Sequence, residues 1–545
     1  MALSSIALAQ SIPVGTPIME DYYRREQLLG NLDSTISFVS RPLFSGFNSQ
    51  LSSSHLPIFP SSHLPIFPSS HIPISPSSHL PLFSFSPLPF TWNQQWNSHH
   101  PYSLNDGGMI PARGYQTLVS GGFFAKLGPF SIQLQPELVW AENKPFETFR
   151  PEEKTPGQRA AYNAFHSVID FPESFPGQPY KKAFWGQSSI RLTFGPISAG
   201  ISSENLWWGP GIHNALLMTN SAAGFNHGTI NSVRPIGSFI GSFEGQIVGG
   251  KLESSNSPFE VGKRNDWRYF SGIVLSYQPR WVPGLFLGGT RSFLIYNLDI
   301  SSGFVGNFPV FEPNTKTNKY GADGSVKPDD QRISVFARWV LPKDHFEAYF
   351  EFGHEDGNYN TRDFLVQIDH TRAYILGFRK LFNLNQADKS YIAFNFEMTQ
   401  LEQNMMDKDR AAAYFYSHGQ IPQGYTNQGQ MLGAGIGPGS NMQTTSLTWG
   451  KGLKSIGVQI ERYVHNNDLY YQFSKDPRGH WVDISLAALG QWDYKHFLLS
   501  SKFVLIRSLN YEYNFQTIPA DSTQYWAPGT DIYNFQGSLS ISYLF

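Results

Sequence analysis

The sequence contains no cysteine, which excludes disulfides, thiolate metal sites and a cysteine-linked lipid anchor. No run of about 18 apolar residues occurs, so helical membrane spans are excluded as well. Charge is scarce: 15% of the 545 residues are Asp, Glu, Lys or Arg, against about 25% in an ordinary soluble domain. The charge present is balanced, 40 Lys and Arg against 42 Asp and Glu, so nothing points to nucleic acid. Any membrane insertion must therefore use strands.

Aromatics are abundant instead, with 13 Trp, 26 Tyr and 44 Phe, as the girdles of a membrane barrel require. The 49 Gly suit turns and strand bends. The last eleven residues alternate without a break. Phe535, Gly537, Leu539, Ile541, Tyr543 and Phe545 share one face, and Gln536, Ser538, Ser540 and Ser542 the other. Period-2 alternation is the mark of a strand with two unlike faces. A strand ending the chain on Phe545 resembles the final strand of bacterial outer-membrane β-barrels. In that class this strand is the signal read by the barrel-assembly machinery, by strand addition to an open edge.

Alternating segments recur upstream. Ile190, Leu192 and Phe194 oppose Ser189, Arg191 and Thr193, and Ala348, Phe350 and Phe352 oppose Glu347, Tyr349 and Glu351. Segments 391–399 and 455–461 repeat the pattern. The polar face carries Glu, Gln and Arg, which facing lipid would cost several kcal/mol each, so it should line a wet or hydrogen-bonded lumen. At about 24 residues per strand and connection, the chain makes 16 to 20 strands.

Four regions are expected. Residues 1–9 end in an Ala-x-Ala pattern and read as the remnant of a signal peptide. Residues 10–50 form a periplasmic leader with a helix over Glu20 to Leu32. Residues 51–92 are a low-complexity linker holding a Ser/His/Pro octamer repeated from Ser53 to Ser84, to which no function is given. Residues 110–545 form the barrel.

The segment Ser203 to Pro235 (SENLWWGPGIHNALLMTNSAAGFNHGTINSVRP) resembles the central motif of the Wzi family of capsule-assembly outer-membrane proteins. Pieces in the same order support the resemblance: Pro13 to Ser34, Tyr349 to Arg379, Gln430 to Gln443, and the C-terminal strand. It covers nearly the whole chain apart from the octamers. It implies an all-β, antiparallel transmembrane barrel of about 18 strands in the outer membrane, with a short periplasmic helical part. It further implies a non-enzymatic lectin holding capsular or other exopolysaccharide at the cell surface.

Two residue groups bear on that function. Trp207 and Trp208 are adjacent, so on a strand they point to opposite faces, one to the interfacial belt and one to a cavity where an indole can face a sugar ring. Gly209-Pro210-Gly211 then forces a turn, and Glu204 and Asn205 offer hydrogen bonds to hydroxyls. The second group is Glu351, Glu355, Asp356, Asp369, His370 and Arg372, with Arg372 as a bidentate partner for a uronate. Each group has a purely structural reading too, as girdle and turn for the first and as a salt-bridged plug for the second.

Weaker signals carry nothing. The glycines of Gly433 to Gly439 lack the strand-then-helix setting of a nucleotide loop. His354-Glu355-Asp356 has no second His at ligand spacing, and no nucleophile elbow accompanies the serines. No metal or cofactor is expected, and no catalysis. The expected partners are the polysaccharide, outer-membrane lipid and lipopolysaccharide, with a monomeric barrel whose aromatic- and amide-rich outer loops make many weak contacts. The alternative is a porin-like channel for oligosaccharides or small solutes.

Overall fold

The computed structural model describes residues 11–32, 34–44, 83–255, 264, 266–312, 329–355, 361–385, 390–403, 413–474, 476–513, 523 and 529–545. Residues 1–9, Asp356 and the octamers up to residue 82 lie outside them.

Eighteen antiparallel strands close one barrel. In chain order they are β1 (Phe83–Asn97), β2 (Gly114–Leu127), β3 (Phe130–Leu134 and Glu137–Ala141), β4 (Tyr180–Phe184 and Ser189–Phe194), β5 (Ile197–Ser202) and β6 (His227–Ser232 and Ile236–Gly237). Next come β7 (Gly241–Leu252), β8 (Arg268–Pro279), β9 (Leu285–Tyr296), β10 (Asp329–Leu341), β11 (Phe346–Glu355) and β12 (Arg372–Asn385). The last are β13 (Ser390–Gln400), β14 (Asn441–Lys451), β15 (Lys454–Val464), β16 (Val482–Tyr494), β17 (Phe497–Leu509) and β18 (Ile532–Tyr543). β18 closes on β1, from Gln536 opposite Asn97 to Tyr543 opposite Phe90. Closure leaves no sheet edge for lipid to meet.

The alternation sorts side chains as hydrophobicity demands. On β4, Ile190, Leu192 and Phe194 face outward while Ser189 and Arg191 are buried in the lumen. On β15, Ile456, Val458 and Ile460 face outward while Gln459 and Glu461 are buried. Trp92, Trp339, Trp449, Trp492 and Tyr494 are exposed on the outer wall, in the manner of an aromatic girdle. Short turns such as 128–129, 452–453 and 495–496 lie at one end, and long loops such as 142–179, 203–226 and 401–440 at the other. Barrels keep short turns in the periplasm and long loops outside, which orients this one.

The barrel begins at Phe83, not at Ile110, and the last ten residues of the expected linker (83–92) belong to β1. Pro87 and Pro89 hid the strand. They are tolerated because β18 stops opposite Phe90, leaving residues 83–89 unpaired on that side, and because the β1–β2 register shifts between Leu88 and Thr91.

The leader helix α1 runs from Pro17 to Leu28, starting three residues and ending four residues earlier than the periodicity suggests. Pro17 suits a first turn because its missing N–H would have no helical partner. Gly30, at φ +76°, ends the helix. The helix sits at the short-turn end. Leu28 packs with Phe286, Val340, Leu381 and Tyr391, and the Arg25 guanidinium donates to the Gly452 carbonyl at 3.2 Å.

The loops 203–226 and 413–440 fold inward and fill the lumen. Their Trp208, Leu216, Met218, Phe225, Phe415, Tyr416, Tyr425 and Leu432 form one buried cluster with wall residues Phe270, Val274, Phe336 and Tyr349. Wall carboxylates hold these loops. Glu397 accepts the N–H groups of Ile212 (2.6 Å), His213 (3.1 Å) and Asn214 (2.8 Å) and the Tyr349 hydroxyl (2.8 Å). Glu347 pairs with Arg24 of α1 and with Arg338 of β10, tying the leader to the wall.

Candidate functional site

The structure separates the sequence-derived site residues into two places. Glu204, Asn205, Trp207, Trp208, Glu351 and Glu355 are all buried. Glu204 accepts from Ser11 Oγ (2.5 Å), Ser202 Oγ (2.9 Å) and Arg191 Nη2 (2.7 Å). Asn205 donates to Asn220 Oδ1 and the Ala222 carbonyl, each at 2.8 Å. Glu351 accepts from Ser334 Oγ (2.7 Å) and the Leu216 N–H (3.2 Å). Glu355 pairs with Arg332 and accepts the Tyr416 N–H at 2.7 Å.

The two tryptophans differ from expectation. Trp207 and Trp208 are 3% and 0% exposed, both inside the lumen, so neither reaches the interfacial belt. Their strand is a two-residue piece that pairs with Ser40 and Arg41 of the leader, not a barrel strand. The Arg41 guanidinium lies 4.2 Å above the Trp207 ring, and Trp208 Nε1 donates to Gln246 Oε1 at 2.9 Å. Gly209 follows at φ +147°, where an added Cβ would stand 2.7 Å from Glu351 Oε2 and 2.8 Å from Ala215 Cβ. Asp369, His370 and Arg372 lie instead at the long-loop end with partial or full exposure. Arg372 Nη1 donates to the Glu402 carbonyl at 2.8 Å.

A different set of residues forms a cavity of about 220 Å³ among the long loops. Helix α2 (Pro156–His166) supplies Tyr162, Phe165 and His166 from one face, as spacings of three and four dictate. A capping box between Thr155 and Gln158 starts that helix. The β15–β16 loop supplies His465 and Trp481, whose rings stack at 3.7 Å with 9° between planes. The loop after β17 supplies Tyr511, Glu512 and Tyr513, with Tyr511 5.1 Å from Trp481 in an edge contact. Phe149 stacks on Tyr162 at 4.5 Å, and His100 lies against Tyr511 at 4.4 Å.

Acid groups stand among these rings. Asp483 accepts from Trp481 Nε1 (3.1 Å) and lies 2.8 Å from His465 Nε2. Glu173 accepts the Phe149 N–H at 3.1 Å and hydrogen-bonds Tyr162. Burial pushes the Glu173 carboxyl up to about 7. Burial, with Glu173 beside it, raises Glu512 well above the usual carboxylate range. Burial holds His100 down to about 4, so it is a neutral ring at pH 7. Glu512 itself sits at φ +55°, flanked by Asn510 at +52° and Tyr513 at +51°. Three non-glycine residues in the left-handed region cost of order 1 kcal/mol each, so packing, not local preference, sets this turn.

Aromatic faces beside carboxylates can hold a sugar ring, with the rings taking its C–H face and the acids its hydroxyls. Ser508 Oγ is 3.2 Å from His100 Nε2 but fully buried and does not line the cavity, so the pair offers no accessible nucleophile. Among the described residues no three His, Asp or Glu side chains gather as a metal site. Sequence reasoning missed this cavity because its parts come from six separate loops. The only local hints were the aromatic run Tyr511 to Tyr513 and the capping box.

A closed barrel with girdle, filled lumen and an aromatic cavity at its outer end defines an outer-membrane β-barrel protein. The family model for the capsule assembly protein Wzi matches residues 93–495, well over half of the chain, and the chain belongs to that family. Among solved structures, Wzi of Escherichia coli, described as an outer-membrane carbohydrate-binding β-barrel involved in group 1 capsule assembly, is similar. Its TM-score is 0.58 at 12% identity, over 98% of this chain and 100% of that one. OprD from Pseudomonas aeruginosa (TM-score 0.37, 7% identity, 84% of this chain and 92% of that) and a BenF-like porin from Pseudomonas fluorescens (0.39, 7%, 85% and 98%) are looser. At 12% identity the likeness concerns the fold alone, and the looser two add nothing to it. A sequence comparison with curated proteins finds no match.

Proposed function

We propose that this protein is a non-enzymatic lectin of the outer membrane that binds capsular or other surface polysaccharide and holds it at the cell surface. The observation that carries this reading is the outer cavity, where Trp481, Tyr511, Tyr513 and Phe149 surround the acids Glu173 and Glu512. Membership of a capsule-assembly family and the carbohydrate binding described for Escherichia coli Wzi support it. Each sugar contact is weak, but a repeating polymer engages many copies on one cell, and linked contacts multiply affinity. Asp369, His370 and Arg372, at the outer rim, are proposed as further contacts.

The test is co-sedimentation of the purified protein with the bacterium's own surface polysaccharide, with a porin as control. Retention above the porin, reduced by Trp481→Ala, is expected. Retention equal to the porin's would remove the lectin reading and leave a channel as the next idea.

A further inference from the structure

The outer cavity is one-sided in its charge. Its lining includes the acids Glu173, Asp483 and Glu512, while among the described residues no Lys or Arg lines it. The cation whose charge Glu512 feels, Lys154, directs its ammonium to the Tyr513 carbonyl at 3.5 Å and lies over the Phe149 ring at 5.0 Å. Asp483 is already occupied by His465 and Trp481. Glu512 is therefore the acid least committed to protein partners, and the strained turn at 510–513 holds it there. The volume, about 220 Å³, is below the roughly 300–1,000 Å³ of sites for drug-sized ligands. That is room for a sugar residue, not a stretch of polymer.

Resting on the polysaccharide-binding reading, we propose that this cavity selects a neutral, hydroxyl-rich sugar residue of the polymer and rejects residues bearing a carboxylate. Hydroxyls donate to Glu173 and Glu512, which accept strongly as anions and adequately when protonated. A uronate would instead bring an unpaired negative charge into a desolvated pocket with no Lys or Arg among its described lining residues, which costs several kcal/mol, and it would repel Glu173 wherever that acid is ionised. Acid-bearing residues of the same polymer must then lie outside the cavity, among groups such as the half-buried Arg372 at the long-loop end.

The test uses the full-length protein in detergent. The surface polysaccharide of the same bacterium is offered in its native form and after carboxyl reduction, which converts each uronate to a neutral hexose. Oligogalacturonate serves as an acidic probe. Carboxyl-reduced polymer should bind at least as tightly as native polymer, and oligogalacturonate at least 10-fold more weakly than the reduced polymer. At pH 8, where Glu173 is ionised, Glu173→Gln should narrow that gap by several-fold, and Glu512→Gln, at a different loop, guards against a folding effect. Binding that collapses on carboxyl reduction, or a preference that neither variant moves, overturns the proposal while leaving the lectin reading standing. Retention of neither polymer form removes the lectin reading and this selectivity together.

Discussion

Glu173 and Glu512 show how much a single buried acid can reveal. Both are raised by burial, Glu173 to about 7. An acid raised on folding favours its protonated form in the native state, so its contribution to stability is complete below its unfolded value near 4.5. That contribution is lost as pH rises through about 7. The outer loop cluster should thus melt higher at pH 5 than at pH 8 in detergent. Glu173→Gln should raise the midpoint at pH 8 and flatten the dependence; a variant whose profile merely parallels the parent's would contradict this. Trp481 makes a complementary prediction. It is partly exposed and stacks on His465, so Trp481→Ala should weaken polysaccharide binding about 10-fold, or roughly 1.4 kcal/mol, with the thermal midpoint little changed. Trp208→Ala should do the reverse, because Trp208 is a fully buried plug residue, and removing such a side chain costs about 3–5 kcal/mol.

At the scale of elements, the inward loop 203–226 is the informative one. It contains the most distinctive motif in the chain, yet that motif serves the plug. Its backbone has no ladder of its own at residues 212–214, and Glu397 on β13 replaces the missing acceptors. Glu397→Ala would strand three N–H groups and the Tyr349 hydroxyl, at a cost of about 3–5 kcal/mol. A fall in the temperature at which the barrel loses its heat-modifiable gel mobility, together with new current in planar bilayers, is the expected result. An unchanged midpoint would show that the loop is held by its apolar packing alone. Strand and helix elements were legible in proportion to how local their causes are. The alternation of β15 and of β18 needed only neighbouring residues, and so did the helix of the leader. β1 was overlooked because Pro87 and Pro89 are tolerated there only through the position of β18, more than four hundred residues away.

For the whole molecule, the lumen decides between a lectin and a channel. Among the described residues, loops 203–226 and 413–440 and helix α1 occupy much of it, and a cavity of about 260 Å³ bordered by Arg24, Arg25, Arg41 and Arg379 lies at the short-turn end. The intact protein should therefore pass far less current than an open porin of similar strand number. Deleting residues 17–28 should raise the current by exposing that vestibule, and porin-like conductance in the intact protein would favour the channel instead. Fold class, membrane and strand alternation were contained in the sequence, because each follows from which side chains tolerate lipid and from a period of two along the chain. The roles of Trp207, Trp208, Glu204, Glu351 and Glu355 were not, since whether a polar or aromatic residue meets polymer or protein depends on what the long loops bring opposite it. The same holds for the outer cavity, assembled from six loops distant in the chain: only closure of the barrel sets His100, Tyr162, Trp481 and Glu512 around one space.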